Sequence, residues 1–158
     1  QFSSILEPND LALGNLRARI RASLLYYYAN AKNYLVIGSS DKSEFMIGYF
    51  TKFGDGSSDV LPIASLYKTQ VRQLAKHLGV RDSIISKKSS PNLWKGHIAE
   101  EEIGASYEEI DCVLYCIIDK KIHPESIQKL TGISHQKIEK ILQLHHNSNH
   151  KRIMPDKL

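Results

Sequence analysis

The sequence predicts a single α/β domain, and three observations lead to that prediction. The chain has 158 residues, 42% of them hydrophobic and 24% charged, which is ordinary for a domain with a real core. Helical periodicity flanks one compact apolar run, "NYLVIGSS" (33–40). Glycine, serines and an acidic residue follow that run, as they do where a parallel strand meets a ligand. We therefore expect residues 1–158 to form one domain with its site at that edge.

The first half of the chain contains the predicted strand and two long helices. Apolar spacing predicts a helix of about four turns over residues 15–30. The "GDGSSD" turn lies in a loop-rich stretch, 51–65. A second helix follows over 65–79, with Ser65 as its cap and Gly79 as its stop. We interpret "SIIS" (83–86) as one more short strand.

The second half is predicted to be helical after one long loop. Residues 87–104, which we call the lid segment, contain proline, serines and glycines, and so long a loop is typically functional or mobile. Ser106 and Glu109 form a capping box before an apolar helix. Pro124 begins one short helix and Ser134 caps the next. The chain then ends in a polar, basic stretch.

Composition narrows the class of protein. No apolar run approaches the ~20 residues of a membrane span, and the first ten residues lack a signal-peptide pattern, so we expect a cytoplasmic protein. Cys112 and Cys116 lie one helical turn apart, with no Cys/His pair at zinc spacing, which favours buried thiols. The net charge of +4 favours an anionic ligand, but it does not separate a nucleotide from a nucleic acid.

Charged residues around the predicted strand suit a phosphate ester. Glu44 offers an oxygen ligand to a hard cation such as Mg²⁺, and Lys52 and Lys68 offer positive charge to phosphate. Asp59 is suited to accept hydrogen bonds from ribose hydroxyls. The alternative is a solvated surface with ordinary ion pairs, and spacing alone does not decide between the two.

The order of the motifs resembles that of ammonia-dependent NAD synthetase. The motifs are "LVIGSSDKSE", "GYFTKFGDGSSD", "LPIASLYKTQVRQLAKHLGV" and "SYEEID", so the similarity covers about 14–107 and resumes at "NHKR". The "GYFTKFGDG" block followed by "LYKTQV" is its most specific part. The resemblance implies a Rossmann-like adenine nucleotide alpha hydrolase (ATP pyrophosphatase) fold, with three layers around a parallel sheet and a helical C-terminal part.

The resemblance also implies an activity. It is the ATP-dependent amidation of deamido-NAD by ammonia, which gives NAD, AMP and pyrophosphate through an acyl-adenylate. ATP and Mg²⁺ would take part, the enzyme would be a cytoplasmic homodimer, and no side chain would act as a nucleophile. The implied magnesium ligand is Glu44. The implied ATP contacts are Ser39, Lys68 and Ser90, and the implied deamido-NAD contacts are Arg19, Lys52, Asp59, His150 and Lys151.

The sequence departs from the family pattern at several points. The Ser-Gly-Gly-x-Asp-Ser loop that wraps the ATP pyrophosphate does not occur, so the chain corresponds to the last three fifths of the enzyme and is expected to be inactive unless another chain supplies that loop. Ser39 stands where threonine is usual. His97, Ile98 and Ala99 replace three polar positions of the lid. No glutaminase domain is present, so the source of ammonia is open.

Two other functions fit parts of the sequence. The stretch "PESIQKLTGISHQKIEKILQL" (124–144) has the pattern of a helix-turn-helix, and the chain is basic, which would suit DNA. Two packed helices closing an α/β domain explain the same pattern, and we prefer that interpretation, so a nucleic-acid partner is not expected. A non-catalytic relative that binds nucleotide is the third possibility.

Overall fold

The structure is a computed structural model that describes residues 9–94 and 96–154. Its helices in chain order are α1 (Asp10–Lys32), α2 (Lys42–Ile47), α3 (Lys68–His77), α4 (Asp82–Ile85), α5 (Ala99–Ile103), α6 (Tyr107–Leu114), α7 (Pro124–Thr131), α8 (His135–Asn147) and α9 (Asn149–Arg152). A wider π-helical turn, Tyr115–Asp119, continues α6. Among these described residues, no helix is long and apolar enough to cross a membrane. Residues 1–8, which bear on the signal-peptide prediction, lie outside the described ranges.

The predicted parallel sheet is not confirmed. Within 9–94 and 96–154 there is no strand, and one isolated parallel bridge joins Ile37 to Val60. The Gly38 N–H donates to the Val60 carbonyl at 2.9 Å beside it. A strand is stabilised by a ladder of bonds to its neighbours, and a single bridge leaves Leu35 and Ile37 each 70% exposed.

The second predicted strand, 83–86, is wrong. Asp82–Ile85 forms the single helical turn α4 instead. The Ser86 hydroxyl donates to the Asp82 carbonyl at 2.7 Å and closes that turn. Two apolar residues in so short a run are compatible with a strand and with a helical turn, so the pattern alone does not distinguish the two structures.

Helix α1 is longer than the predicted 15–30. It begins after Asn9, whose side chain accepts the Ala12 N–H at 2.8 Å, and it ends at Asn33 in the left-handed conformation. The residues that α1 buries are small: Gly14, Ala18, Ala22 and Ala29. Its larger side chains, such as Leu24 and Tyr27, are exposed.

The cap predicted for the helix after the "GDGSSD" turn is also misplaced. Helix α3 begins at Lys68 with Tyr67 as its cap, and Ser65 lies outside it. The Tyr67 N–H donates to Gln70 Oε1 at 2.9 Å, so the side chain of Gln70 satisfies the helix start. Gly79 has φ +72° just past the C-terminus, as a stop requires.

Helix α6 lies at the centre of the core. Ser106 caps it, and the predicted capping box with Glu109 is confirmed. Its residues Tyr107, Ile110, Val113 and Leu114 have no exposed surface. It packs on α2, α3 and α8, so this core fixes the relative positions of the helices that carry the candidate site. Burial of each such side chain stabilises the fold by about 1.5–3 kcal/mol.

Helices α7 and α8 close the core, as the preferred interpretation of 124–144 predicts. Pro124 starts α7, and Ser134 occupies the N-cap position of α8, although its side chain makes no capping hydrogen bond. Ile127, Ile138 and Ile141 are buried in the same cluster as α6. The two thiols are free, with Cys116 buried and Cys112 half-buried, so the prediction of buried thiols holds fully for Cys116 only.

Candidate active site

Three charged side chains form a buried cluster between α2 and α3. Asp41 caps α2 by accepting the Glu44 N–H at 2.9 Å, and Glu44 accepts the Asp41 N–H at 3.4 Å. The Lys68 amine lies 2.6 Å from an Asp41 oxygen and 2.7 Å from a Glu44 oxygen. The Asp41 side chain is 1% exposed. Two carboxylates and one ammonium leave the cluster with a net negative charge in a place with little water.

The cluster shifts the ionisation of its members. Burial is the largest influence on Glu44 and, with repulsion from Asp41, it raises the pKa of that carboxyl although Lys68 opposes the change. Burial acts to lower the pKa of Lys68, but attraction to Glu44 and Asp41 outweighs it, so the pKa of Lys68 is raised. The Lys68 ammonium is therefore retained, and the Glu44 carboxylate lies in surroundings that disfavour its charge.

A second layer of hydrogen bonds orients Lys68. The Ser43 hydroxyl donates to Asp111 on α6 and accepts the Lys68 N–H at 2.8 Å. The other Asp111 oxygen accepts the Thr69 N–H at 2.8 Å. Two of the backbone N–H groups that have no partner inside α3 are thus bonded by side chains of α2 and α6. Burial raises the pKa of Asp111.

The predicted ATP and metal residues lie together. A cavity of about 390 Å³, the smaller cavity, is lined by Ser39, Glu44 and Ser90, and by Lys87 and Lys88 of the lid segment. The fourth predicted residue, Lys68, is bonded to Glu44 at 2.7 Å. Two lysines and an ion-paired carboxylate beside one cavity suit a polyphosphate.

Three of the residues predicted to contact deamido-NAD form a chain of contacts. Arg19 Nε donates to the Lys52 carbonyl at 3.2 Å, and the Lys52 amine donates to the His150 carbonyl at 2.5 Å. This chain connects α1, the loop after α2, and α9. It places two cationic side chains and one imidazole in one region of the surface.

The other two residues of that group bond to the protein. The Lys151 amine donates to the Gly48 and Phe50 carbonyls at 2.7 and 2.9 Å, and burial lowers its pKa. One Asp59 oxygen accepts the Val36 N–H at 2.7 Å, and the other accepts from the Tyr26 hydroxyl at 3.4 Å. Both side chains therefore shape the loops around the site, whether or not they also contact a substrate.

A larger cavity of about 480 Å³ lies between α1, residues 48–57 and the lid segment. Its wall is apolar along Ala18, Ala22 and Leu25 of α1. Its polar wall includes Ser39, Asn15, Thr51, Asp55, Glu102 and Lys151. Ser39 lines both cavities. An apolar pocket with a few convergent polar groups is the ordinary form of a small-molecule site.

The charged cluster fits Mg²⁺ only in part. Glu44 offers one carboxylate at the smaller cavity, and in residues 9–94 and 96–154 no group of three His, Cys, Asp or Glu side chains could hold a metal ion. Mg²⁺ is commonly held by one or two carboxylates together with substrate phosphates. Glu44 is therefore suited to share the ion with a bound nucleotide and not to hold it in a protein cage.

Sequence reasoning did not identify several residues that build this site. Asp41 has a local signal in the sequence, because "DKSE" (41–44) has the spacing of a capping box. Ser43 and Asp111 are 68 positions apart, and no local pattern joins them. Tyr49, His97 and Glu102 also meet only in the folded chain.

Comparison with known proteins identifies a family. The model of the NAD synthase family matches residues 2–155. The NH(3)-dependent NAD(+) synthetase of Staphylothermus marinus is 55% identical over 146 residues, which are 92% of this chain and 53% of that protein. The enzyme of the same name from Hyperthermus butylicus is 54% identical, over 94% of this chain and 54% of that protein. The chain thus spans about half the length of these curated relatives.

Solved structures give the same result for the fold. An NMN synthetase from Francisella tularensis superimposes with a TM-score of 0.81 and 36% identity, covering 99% of this chain and 60% of that one. An NH3-dependent NAD synthetase from Campylobacter jejuni gives a TM-score of 0.75 and 34% identity, over 96% of this chain and 57% of that one. The fold is therefore that of NAD synthetases, although the described residues show a single bridge where a sheet was predicted.

Proposed function

The chain belongs to the NAD synthase family, and we propose from this that it forms the ATP- and substrate-binding part of an ammonia-dependent NAD synthetase. The reaction is the amidation of deamido-NAD to NAD, with ATP converted to AMP and pyrophosphate. The observation that carries the proposal is the smaller cavity: three of the four residues expected at ATP and metal line it, and the fourth is bonded to one of them.

The arrangement suits a reaction in two steps. The nicotinate carboxylate of deamido-NAD attacks the α-phosphorus of ATP, the bond between that phosphorus and the α,β-bridging oxygen breaks, and pyrophosphate leaves with that oxygen. Ammonia then attacks the carbonyl carbon of the acyl-adenylate and AMP leaves. Lys68 offsets negative charge that develops on pyrophosphate, and Arg19 and Lys52 hold the dinucleotide in line. No side chain has to form a covalent bond to the substrate.

Mg²⁺ is part of this proposal at Glu44. When bound with the nucleotide, the ion supplies Lewis-acid stabilisation of phosphate charge. Glu44 would bind the ion, and Ser43 and Asp111 would keep the start of α3 in place so that Lys68 could face the same phosphates.

We assign the lid role to residues 87–104. Ser90, Lys87 and Lys88 line the smaller cavity, and the lid residues Pro91 and Glu102 lie on the larger one. Water competes with ammonia for an acyl-adenylate, so a segment that covers both cavities protects the intermediate. We propose that the lid segment and the rest of the chain form a single domain.

A mononucleotide substrate is the second candidate. The structural neighbour with a TM-score of 0.81 is an NMN synthetase, and the same chemistry on nicotinate mononucleotide would give NMN. The two candidates differ in whether the substrate carries an adenylate half, and under the first candidate Arg19 and Lys52 would recognise that half through its phosphate charge.

The homodimer expected from the family remains part of the proposal. Helix α1 exposes Leu24, Leu25, Tyr27 and Tyr28 by 55–66%. Exposed apolar and aromatic side chains of this kind are suited to contact with a second copy of the chain.

Calorimetric titration of deamido-NAD, with ATP and Mg²⁺ present, tests the proposal. Lys52→Met should weaken binding by roughly tenfold or more, because a charge-assisted hydrogen bond to phosphate is lost. Lys32→Met is the matched control, since it removes an exposed lysine at the end of α1, and it should leave the affinity unchanged. Nicotinate mononucleotide is titrated in parallel.

The outcomes separate the two candidates. Binding of the dinucleotide but not the mononucleotide, lost in Lys52→Met, supports the NAD synthetase role. Binding of the mononucleotide with equal or greater affinity favours the second candidate. If the parent chain is folded by circular dichroism and binds neither compound, the proposed function is wrong.

A further inference from the structure

The single tryptophan of the chain, Trp94, stacks on a buried histidine of the lid segment. The Trp94 and His97 ring centroids are 3.5 Å apart, and the ring planes differ by 9°. The His97 side chain is 3% exposed. Both rings lie on the wall of the larger cavity. A polar ring buried to this extent needs hydrogen-bond partners, or its burial costs free energy.

His97 finds partners for its Nε2 in Tyr49 and Glu102, whereas its buried Nδ1 has no hydrogen-bond partner among the described residues. Its Nε2 lies 2.5 Å from Glu102 Oε2 and 3.1 Å from the Tyr49 hydroxyl. The Tyr49 hydroxyl donates to the same Glu102 oxygen at 2.6 Å. Burial opposes ionisation of Glu102, but hydrogen bonds from Tyr49 and His97 prevail and lower its pKa. A carboxylate only accepts, so Nε2 is the nitrogen that carries hydrogen.

The three side chains come from two different parts of the chain. His97 and Glu102 belong to the lid segment, whereas Tyr49 directly follows the C-cap of α2, Gly48. The Tyr49 hydroxyl is therefore the group through which this network crosses from the lid segment to residues 48–57. A charge-assisted network of this kind restrains both segments in one geometry.

A second contact attaches the lid segment to α1. Arg17 Nη1 donates to the Leu93 carbonyl at 2.8 Å. A Cβ on Gly14 would lie 3.1 Å from Leu93 Cβ, so glycine permits the close approach of the helix to the lid. Trp94 lies between the Leu93 attachment and the His97 network, and it is therefore held from both sides.

We propose that His97 is a positioning residue, which fastens the lid segment to Tyr49 and thereby holds Trp94 on the wall of the larger cavity. His97 does not have to touch a substrate for this role. It replaces a polar position of the family's lid, and its imidazole supplies both a flat surface for stacking and a donor for Glu102. The inference rests on contacts within the chain and holds whichever substrate the cavity binds.

Acrylamide quenching of Trp94 fluorescence tests the inference on the chain without any nucleotide. Tyr49→Phe and Glu102→Gln each leave the imidazole in place and remove part of the network. Both should raise the Stern–Volmer constant by roughly half or more, because loss of a charge-assisted hydrogen bond shifts a local opening equilibrium by about tenfold. His97→Gln should give the largest rise, since it removes the stacked ring as well.

Glu101→Gln is the matched control. Glu101 lies on the same helical turn as Glu102, is 65% exposed, and approaches only Lys88, at 3.6 Å, among the described ion pairs. This variant should leave quenching unchanged. Circular dichroism of each variant checks that helix content is retained.

Two results would overturn the inference. If Tyr49→Phe and Glu102→Gln have the same Stern–Volmer constant as the parent while His97→Gln has a higher one, the polar network does not position the lid. His97 then acts only by filling space. If Glu101→Gln raises the Stern–Volmer constant as much as Glu102→Gln does, the rise comes from the loss of any nearby negative charge and not from the hydrogen bonds of Glu102. Should His97→Gln fail to fold, the other two variants still decide the matter. None of these results depends on whether deamido-NAD binds.

Discussion

Carboxyl groups occur in two contrasting settings in this protein. At the candidate site, burial raises the pKa of Glu44 and of Asp111. At the start and end of the central helix, a hydrogen bond from Lys137 lowers the pKa of Glu109, and one from Lys42 lowers the pKa of Asp119. A lysine approaches Glu44 just as lysines approach Glu109 and Asp119, so for Glu44 the difference lies in how much water the carboxyl has lost.

The contrast separates carboxyl groups whose ionisation stabilises the folded state from carboxyl groups whose ionisation destabilises it. A lowered carboxyl pKa means that the folded state favours the charged form, and a raised pKa means that it disfavours it. Carboxyls of the second kind are typical of functional sites, where burial prepares a group for a ligand or a metal ion. The raised pKa of Glu44 therefore points to a residue that also lines the smaller cavity.

Removal of Lys68 should have the largest effect on stability. Lys68→Met leaves Asp41 and Glu44 without their counter-ion, and breaking a buried pair in this way costs about 3–5 kcal/mol. Urea unfolding followed by circular dichroism measures the loss. The double variant Lys68→Met, Glu44→Gln should regain part of it, because one uncompensated charge has been removed.

The control for this prediction is Lys76→Met on the same helix, where the lysine belongs to the last turn of α3. Its effect should stay within about 0.5 kcal/mol, as for most surface substitutions. Equal losses for Lys68→Met and Lys76→Met would mean that the cluster is as well hydrated as the surface and that the contrast between the two settings does not exist.

Two serine substitutions, one in each setting, should have intermediate effects on the free energy of unfolding. Ser43→Ala removes a hydroxyl that bonds to both Asp111 and the Lys68 N–H, and we expect a loss of about 2 kcal/mol because buried polar groups lose their partner. Ser106→Ala removes the cap of α6, which costs about 1 kcal/mol. Unfolding free energies of the two variants in one buffer test the order. A larger loss for Ser106→Ala would contradict it.

The sequence predicts the helical half better than the site. Pro124, Ser134 and the capping box at Ser106 are local features, since each depends on residues within one turn. All three positions are confirmed, although the Ser134 side chain makes no capping hydrogen bond. The expected strand at 33–40 fails for a different reason. Strand formation depends on a partner that is distant in sequence, and the described residues provide one bridge, Ile37 to Val60.

The site could be predicted only where a motif is contiguous. The family blocks supply Ser39, Glu44 and Lys68, and the structure brings these near one another. The cap residue Asp41, the buried pair of Ser43 and Asp111, and the network of His97 follow from packing between separate elements. No spacing rule encodes such contacts, so they require the folded chain.

The smallest effect, and the finest test of the contrast, is the pH dependence at Glu109. Its pKa lies below the ordinary value of 4.5, chiefly because the Lys137 amine donates to it at 2.6 Å. In the folded state this carboxyl stays ionised at pH values where the unfolded chain takes up a proton, so it stabilises the fold above pH 4.5 and the contribution is lost as the pH falls through the folded-state pKa. Glu109→Gln keeps an oxygen for the Ser106 N–H but loses the charge, so the stability difference from the parent should be below ~1 kcal/mol at neutral pH and vanish in acid.

Glu44→Gln should behave in the opposite sense, because the raised pKa of Glu44 makes its ionisation unfavourable to folding as the pH rises. Urea unfolding between pH 3 and pH 8 measures both profiles, and parallel profiles for the two variants would show that the two settings do not differ.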